Sequence, residues 1–268
     1  MTKAKILGLC LTAAALTAGA AEIIKLNDPG AWREESKLVA LPDGTVRITG
    51  KNIITTVDYP HIDKAKKYTL RGKVRQGKNS PKTGFSIGFI LLNDEERSLP
   101  LCSFRAVKDS DAVLAAPLKV GDTTVKVKAE NPKIWRPVPG FELAYQTKKD
   151  CSDMPNEKLS GRIKKMATSG SDVTVSLSFA SRREFPAGTP VRLQSGYSYY
   201  WALYRTSALK DEWQEFSAEV SGVLPPGEFN NKSFPASPEV EAVKIYISCN
   251  GVSATAVTEL KDLELVIE

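Results

Sequence analysis

The stretch SGYSYYWALYR, Ser195–Arg205, holds four tyrosines and one tryptophan in eleven residues. Such rings pair an apolar body with a polar tip. A sugar needs the same two things, an apolar C–H face to stack on and partners for its hydroxyls. Read as an unbroken strand, Tyr197, Tyr199, Trp201 and Leu203 share one face, and Ser198, Tyr200, Ala202 and Tyr204 share the other. Alternate aromatics serve equally well as cross-strand packing. The run is therefore either a binding platform or one wall of a core, and Tyr200 with Tyr204 is the platform left over if the Trp201 face is buried. Trp135, between Pro132 and Pro137 in NPKIWRPVPG, is a further exposed-aromatic candidate. The candidate ligand-binding residues are Tyr197, Tyr199, Tyr200, Trp201, Tyr204 and Trp135.

Catalytic sets are scarce. The single histidine, His61, sits in the loop segment DYPHIDK. A Ser-His-Asp triad would have to use it, yet no G-x-S-x-G elbow is present. Neither H-E-x-x-H nor a zinc-deaminase motif occurs. Glycoside hydrolysis needs two carboxylates facing each other across a sugar. The pairs Glu34–Glu35 and Glu95–Glu96 fail this, because neighbours on a strand point to opposite faces. Glu212 and Glu215 fail for the same reason. Asp262 and Glu264 share a face, a spacing equally common on a solvated strand. A lyase reading is the better enzymatic alternative: a tyrosine acts as acid/base and a cation or amide neutralises a uronate carboxylate. Arg192, Gln194, Tyr197, Tyr199 and Arg205 could supply those roles. No catalytic residue is assigned.

The elements that must carry these residues read as β almost throughout. KLVALPDGTVRITG is two alternating runs about a PDG turn, a hairpin signal. KKYTLRGKVRQG alternates Tyr68, Leu70, Gly72 and Val74 against charged neighbours, so one face is buried. TGFSIGFILLN is continuously apolar and so central. EWQEFSAEVSG, EVEAVKIYISC and TELKDLELVIE follow late in the chain. A helical period does not persist over any useful length. The middle differs: in GDTTVKVKAE, Thr124, Lys126 and Lys128 oppose Val125 and Val127, and GFELAYQ, LSGRIKKM, SDVTVSLSF and FPAGTPVRL give more short strands. The expected fold is all-β, a jelly-roll β-sandwich formed by residues 21–112 and 196–268 and interrupted by a small inserted β-barrel at 113–195. One larger undivided sandwich is the alternative.

Residues 1–20 read as a signal peptide. Lys3 and Lys5 precede the apolar run ILGLCLTAAALT, and AGA at Ala18–Ala20 places small residues for cleavage before Ala21. No later run approaches the ~20 apolar residues of a spanning helix. The expected location is secreted, periplasmic or extracellular. The net charge of +6 is spread over segments such as KAKK, QTKK and RIKK. No basic stripe with interleaved aromatics appears, so nucleic acid is not an expected partner. Cys102, Cys151 and Cys249 remain after cleavage, an odd number that allows one bridge and one thiol, with connectivity open.

KKYTLRGKVRQG with FSIGFILLN, then DEWQEFSAEVSG, VEAVKIYIS and TELKDLELVIE, resemble the galactose-binding-like jelly rolls that include many carbohydrate-binding modules of secreted bacterial proteins. The likeness rests on core positions, so it speaks to fold more than to ligand. The middle, through GDTTV, VTVSL and PAGTPV, is similar to small β-barrel units inserted in secreted and phage-type surface proteins, which implies no activity. The first resemblance implies that a structural calcium near the chain ends could be held by Asp28 of LNDPG and Asp262; no cofactor is otherwise required. The expected function is non-catalytic recognition of a polysaccharide or glycan outside the cell. A structural or adhesion-type surface subunit is the alternative, and a jelly-roll polysaccharide lyase the third reading.

Overall fold

A computed structural model describes residues 21–100, 105–156, 158–195, 198–228 and 230–268. Within them the chain forms seventeen strands, three single-turn 3-10 helices and no α-helix. β1 (Glu22–Lys25), β2 (Leu38–Ala40), β3 (Val46–Thr49), β5 (Tyr68–Gln76), β15 (Gln214–Val220) and β17 (Val257–Ile267) make one sheet, ordered β15-β5-β17-β3-β2 with β1 also on β17. β4 (Asn52–Thr55), β6 (Thr83–Leu92), β14 (Trp201–Thr206) and β16 (Ala242–Gly251) make a second, ordered β14-β6-β16-β4. Eight of these strands run through the chain as β3, β4, β5, β6, β14, β15, β16 and β17. They are laid down as β15-β5-β17-β3 facing β14-β6-β16-β4, which is a jelly roll.

The period-2 pattern explains the sandwich. Val46 and Ile48, Leu70 and Val74, Phe85, Ile87, Phe89 and Leu91, and Ile245 and Ile247 all point into one apolar core between the sheets. β6 is buried on both faces along its whole length. Its even residues Ile90 and Leu92 join Ala242, Tyr246 and Tyr59 in a smaller cluster on the outside of the second sheet. That is why TGFSIGFILLN lacks alternation.

The outer face of the larger sheet is fixed by charge. Glu259 on β17 lies directly between Arg47 on β3 and Arg75 on β5. One carboxylate oxygen takes Arg47 Nη2 at 2.7 Å and the other takes Arg75 Nη2 at 2.7 Å. Arg75 also lies over the Trp213 ring, 4.4 Å from its centre. Glu264 is flanked in the same way by Lys25 and Arg71. Opposite charges directly across an antiparallel ladder favour one register.

Between β6 and β14 the chain builds a third unit. β8 (Ala112–Leu114), β9 (Thr124–Ala129), β10 (Phe141–Tyr145), β11 (Leu159–Ser169), β12 (Asp172–Leu177) and β13 (Pro190–Ser195) pair in the order β10-β11-β12-β9-β8-β13. β10 and β13 pair from Phe141–Ser195 to Tyr145–Val191, which closes a six-stranded barrel. β7 (Arg105–Ala106) adds to β13 at Ser195 and Gln194. Val125, Val127, Leu143, Val173, Val175 and Leu193 fill a core separate from that of the sandwich. β6 and β14 are themselves paired, Phe89 opposite Trp201. The chain therefore leaves the sandwich and re-enters it on neighbouring strands, the arrangement that tolerates an insertion.

The chain-end segments meet. The Asn27 side chain accepts from the Leu263 N–H, and Leu26 N donates to Leu263 O at 2.9 Å. Asp28 Oδ1 accepts from Gly30 N at 2.9 Å, capping a 3-10 turn. Asp262, on a bulge of β17, pairs with Lys73 at 3.3 Å. Among the described residues no group of three or more His, Cys, Asp or Glu side chains gathers. Cys249 is buried in the sandwich core, where its thiol is pushed up to about 12 by burial, and Cys151 is also unbridged. Cys102 and the leader, residues 1–20, lie outside the described residues. Among the described residues no helix is long and apolar enough to cross a membrane.

Candidate functional site

The aromatic run does not form one straight strand, and its side chains part in three directions. Tyr197 lies outside the described residues. Ser198 Oγ accepts the Tyr200 N–H at 3.0 Å and donates to Tyr200 O at 3.1 Å, closing a tight turn before β14 begins. Tyr199 lines a cleft beside the barrel. Tyr200, 41% exposed, stands edge-on to Tyr246 on the outside of the smaller sheet, with ring centres 4.9 Å apart.

Trp201 corrects the platform expectation. It is 1% exposed and packs on Phe89 and Phe234 at 6.0 and 5.8 Å in the sandwich core. The register of β14 then shifts between Ala202 and Tyr204. A bulge of one residue turns the following side chain to the other face. Tyr204 thus leaves the Tyr200 face and stacks on Phe216 at 5.0 Å, against the core. Gly88 makes the bulge fit: a Cβ there would lie 1.9 Å from Trp201 O. Trp135 is also a correction. The 3-10 turn Pro132–Ile134 tucks its ring into the barrel core, leaving it 2% exposed.

The cleft that holds Tyr199 has a volume of about 450 Å³ and is built by three barrel elements. On β10, Leu143 and Tyr145 point into the barrel, so Glu142 faces out. Its cross-strand neighbours are Gln194 on β13 and Arg162 on β11. The loop after β12 completes the wall. It is fastened at Ser178, whose N–H donates to Arg162 O at 2.9 Å, and at Ser181, which exchanges backbone bonds with Gly121 and Asp122. Ser181 Oγ also donates to Arg183 O at 2.6 Å. Between these anchors Phe179 stands 70% exposed beside Gly161, and Arg182 and Arg183 follow.

One polar group on the cleft wall makes incomplete use of its hydrogen-bonding capacity. Glu142 is 7% exposed and its Oε2 makes no hydrogen bond within the protein. Burial pushes its carboxyl above the usual range, and Arg162 pulls it partly back. Tyr145 stacks on Phe185 at 4.5 Å, and burial pushes its phenol well above the usual range, tempered by neighbouring Ser160. Ser160 Oγ donates to Gly161 O at 2.8 Å and accepts the Leu143 N–H at 3.0 Å, and it lies beside the Tyr145 hydroxyl with an acceptor lone pair to spare. Glu142 Oε2 is thus a buried acceptor on the cleft wall with no hydrogen-bond partner among the described residues.

Of the four described residues weighed for a lyase, only Tyr199 lines the cleft. Arg192, 2% exposed, pins the loop after β10 through Lys148 O at 2.9 Å and Asp153 Oδ2 at 2.7 Å. Gln194 is buried opposite Glu142, and Arg205 pairs with Ser86 across β14 and β6. Arg162, Arg182, Arg183 and Phe179 were not among the expected site residues. For Phe179, Arg182 and Arg183 the signal is the segment SFASRREF, where a phenylalanine and two arginines share a serine-rich turn; Arg162 lies apart, in LSGRIKKM.

No family model matches the chain, and no curated protein matches it. Among solved structures, the selenomethionine-labelled mavirus penton protein is similar over 92% of this chain and 98% of the other, at 8% identity and a TM-score of 0.17. That likeness is too slight to bear on either fold or function.

Proposed function

We propose that the chain is an exported, non-catalytic glycan-recognition protein that takes a sugar in the cleft beside the barrel that Tyr199 lines. The observation that carries this reading is the meeting of aromatic rings and an under-used polar group in one place. Tyr199 and Phe179 offer apolar surface for the C–H faces of a sugar, and Glu142 offers an acceptor for its hydroxyls. Export rests on the order of Lys3 and Lys5, the apolar run and the small residues before Ala21. N-terminal sequencing of secreted protein should therefore begin at or near Ala21; an intact Met1 in a membrane fraction would refute export.

A glycan array on the chain from Ala21 is the direct test of binding. Retention of at least one glycan, lost in Tyr199→Ala while the denaturation midpoint is kept, is the expected result. Full retention by Tyr199→Ala would remove the cleft from the site, and no retention at all would sink the reading. Tyr199 and three arginines around one cleft are also the groups a polysaccharide lyase would use. That second reading requires an unsaturated uronate product when polygalacturonate is incubated with the protein; absence of that product rejects it.

A further inference from the structure

Resting on the glycan reading, we infer that Glu142 selects the sugar, and that it selects a neutral one presenting a free hydroxyl to the inner wall of the cleft. Three carboxylates are buried among the described residues, those of Glu142, Glu259 and Glu264. Glu259 has an arginine on each oxygen, and Glu264 has a lysine on one and an arginine on the other. Glu142 lines the cleft, and its Oε2 accepts no hydrogen bond among the described residues. A buried carboxylate oxygen without a donor is costly and rare. The strand that carries it is held from both sides, Glu142 standing opposite Arg162 on β11 and Gln194 on β13. The oxygen keeps its place, so a donor has to come to it.

The neighbours of Glu142 decide which donor fits. Arg162 lines the same cleft, and its guanidinium can only donate. A hydroxyl does both: it can give its proton to Glu142 Oε2 and accept from Arg162. A uronate carboxylate or a sulfate has no proton to give and brings like charge to a buried carboxylate. A methylated or acetylated oxygen cannot donate either. An ammonium can donate, but it would enter past the exposed guanidinium groups of Arg162 and Arg182. A free hydroxyl on an uncharged ring meets every condition, and Tyr199 and the exposed Phe179 stand ready for its C–H face. The carboxyl of Glu142, raised by burial and pulled partly back by Arg162, is the only carboxyl among the described lining residues, and no histidine joins it. A hydroxyl bond favours its charged form, so binding strengthens as pH rises through its value in the free protein.

The test measures binding of the chain from Ala21 to dextran, galactomannan, their fully O-methylated forms, and polygalacturonate. It uses the native protein, Glu142→Leu, Glu142→Gln and Tyr199→Ala, with a denaturation midpoint to check that each is folded. Leucine removes the acceptor at similar size, and glutamine keeps an acceptor without the charge. The expected result is binding of dextran or galactomannan above polygalacturonate and above the methylated forms. It should weaken about tenfold or more in Glu142→Leu, and also weaken in Tyr199→Ala. Native binding should fall as the solution is acidified, and in Glu142→Gln that fall should vanish. Polygalacturonate or a methylated polymer bound as tightly as the free neutral ones overturns the inference and leaves the glycan reading standing. So does unchanged binding in both Glu142 variants when Tyr199→Ala has lost it. Unchanged binding in all three variants overturns both, and so does retention of no polymer.

Discussion

Glu259 is a carboxylate that water barely reaches, yet it sits on the outside of a sheet. Burial alone would raise its pKa, but the hydrogen bonds and charges of Arg47 and Arg75 outweigh burial and hold it below the usual range. Its folded value lies below the unfolded value of about 4.3. The interaction is thus fully present above that value and is lost as pH falls through the folded one. Glu259→Gln should cost about 1–2 kcal/mol at neutral pH, because the half-exposed arginines can rehydrate. The gap between the two proteins should close in acid; urea midpoints across a pH series measure this. Glu142 works in the opposite sense, its raised carboxyl favouring the fold below its folded value and disfavouring it as pH rises through that value. For Trp201, the cavity left by Trp201→Ala should cost about 3–5 kcal/mol, with any loss of binding tracking unfolding. A much smaller loss of stability would contradict its place in the core. The type of Trp201 was legible in the sequence, but its direction was not. Alternation puts Tyr204 opposite Trp201, and the bulge that brings both to the core depends on a glycine in another strand.

That glycine belongs to the scale of elements. At Gly88 an added Cβ would meet the backbone oxygen of Trp201 at 1.9 Å and the nitrogen of Leu203 at 2.8 Å. Neither is the flexible end of a side chain. Gly88→Ala should therefore cost about 3 kcal/mol or more and expose the 198–206 segment to hydrogen exchange before the rest of the sandwich opens. Uniform exchange with native stability would show that the bulge relaxes freely. The strands themselves were easy to read. KKYTLRGKVRQG and TELKDLELVIE alternate because each covers one core face and carries ion pairs on the other. The cleft was hard to read because its lining is drawn from β10, β11, the loop after β12 and Tyr199, segments separate in the chain. In GFELAYQ nothing local says that Glu142 will be buried; that follows from the closing of β10 onto β13.

For the whole molecule, the surface between barrel and sandwich decides how separable the two are. The outward residues of β10 and β13 include Glu142, Arg192 and Gln194 rather than an apolar stripe. Freeing such a face exposes groups that water can satisfy. A fragment of residues 105–195 should unfold in a single cooperative transition, and the sandwich with a short linker in its place should stay folded. Loss of cooperativity in both would show one indivisible core. The two apolar clusters were foreseeable from the change of strand length and spacing after Leu114. The barrel was expected as well; the particular β10–β13 pairing that closes it was not, because it joins segments about fifty residues apart that local pattern does not link.

β17 pairs with β1, β3 and β5, strands that all belong to the first third of the chain. During synthesis those early strands emerge long before their common neighbour. The larger sheet cannot assemble around its centre until that late segment arrives, whereas the barrel has all its partners in one continuous stretch. Nascent chain would then carry a finished barrel ahead of an open sandwich with unpaired edges. A product cut short before Val257 would keep the barrel and lack the strand that joins the sheet, so β17 acts as a late checkpoint on a finished molecule.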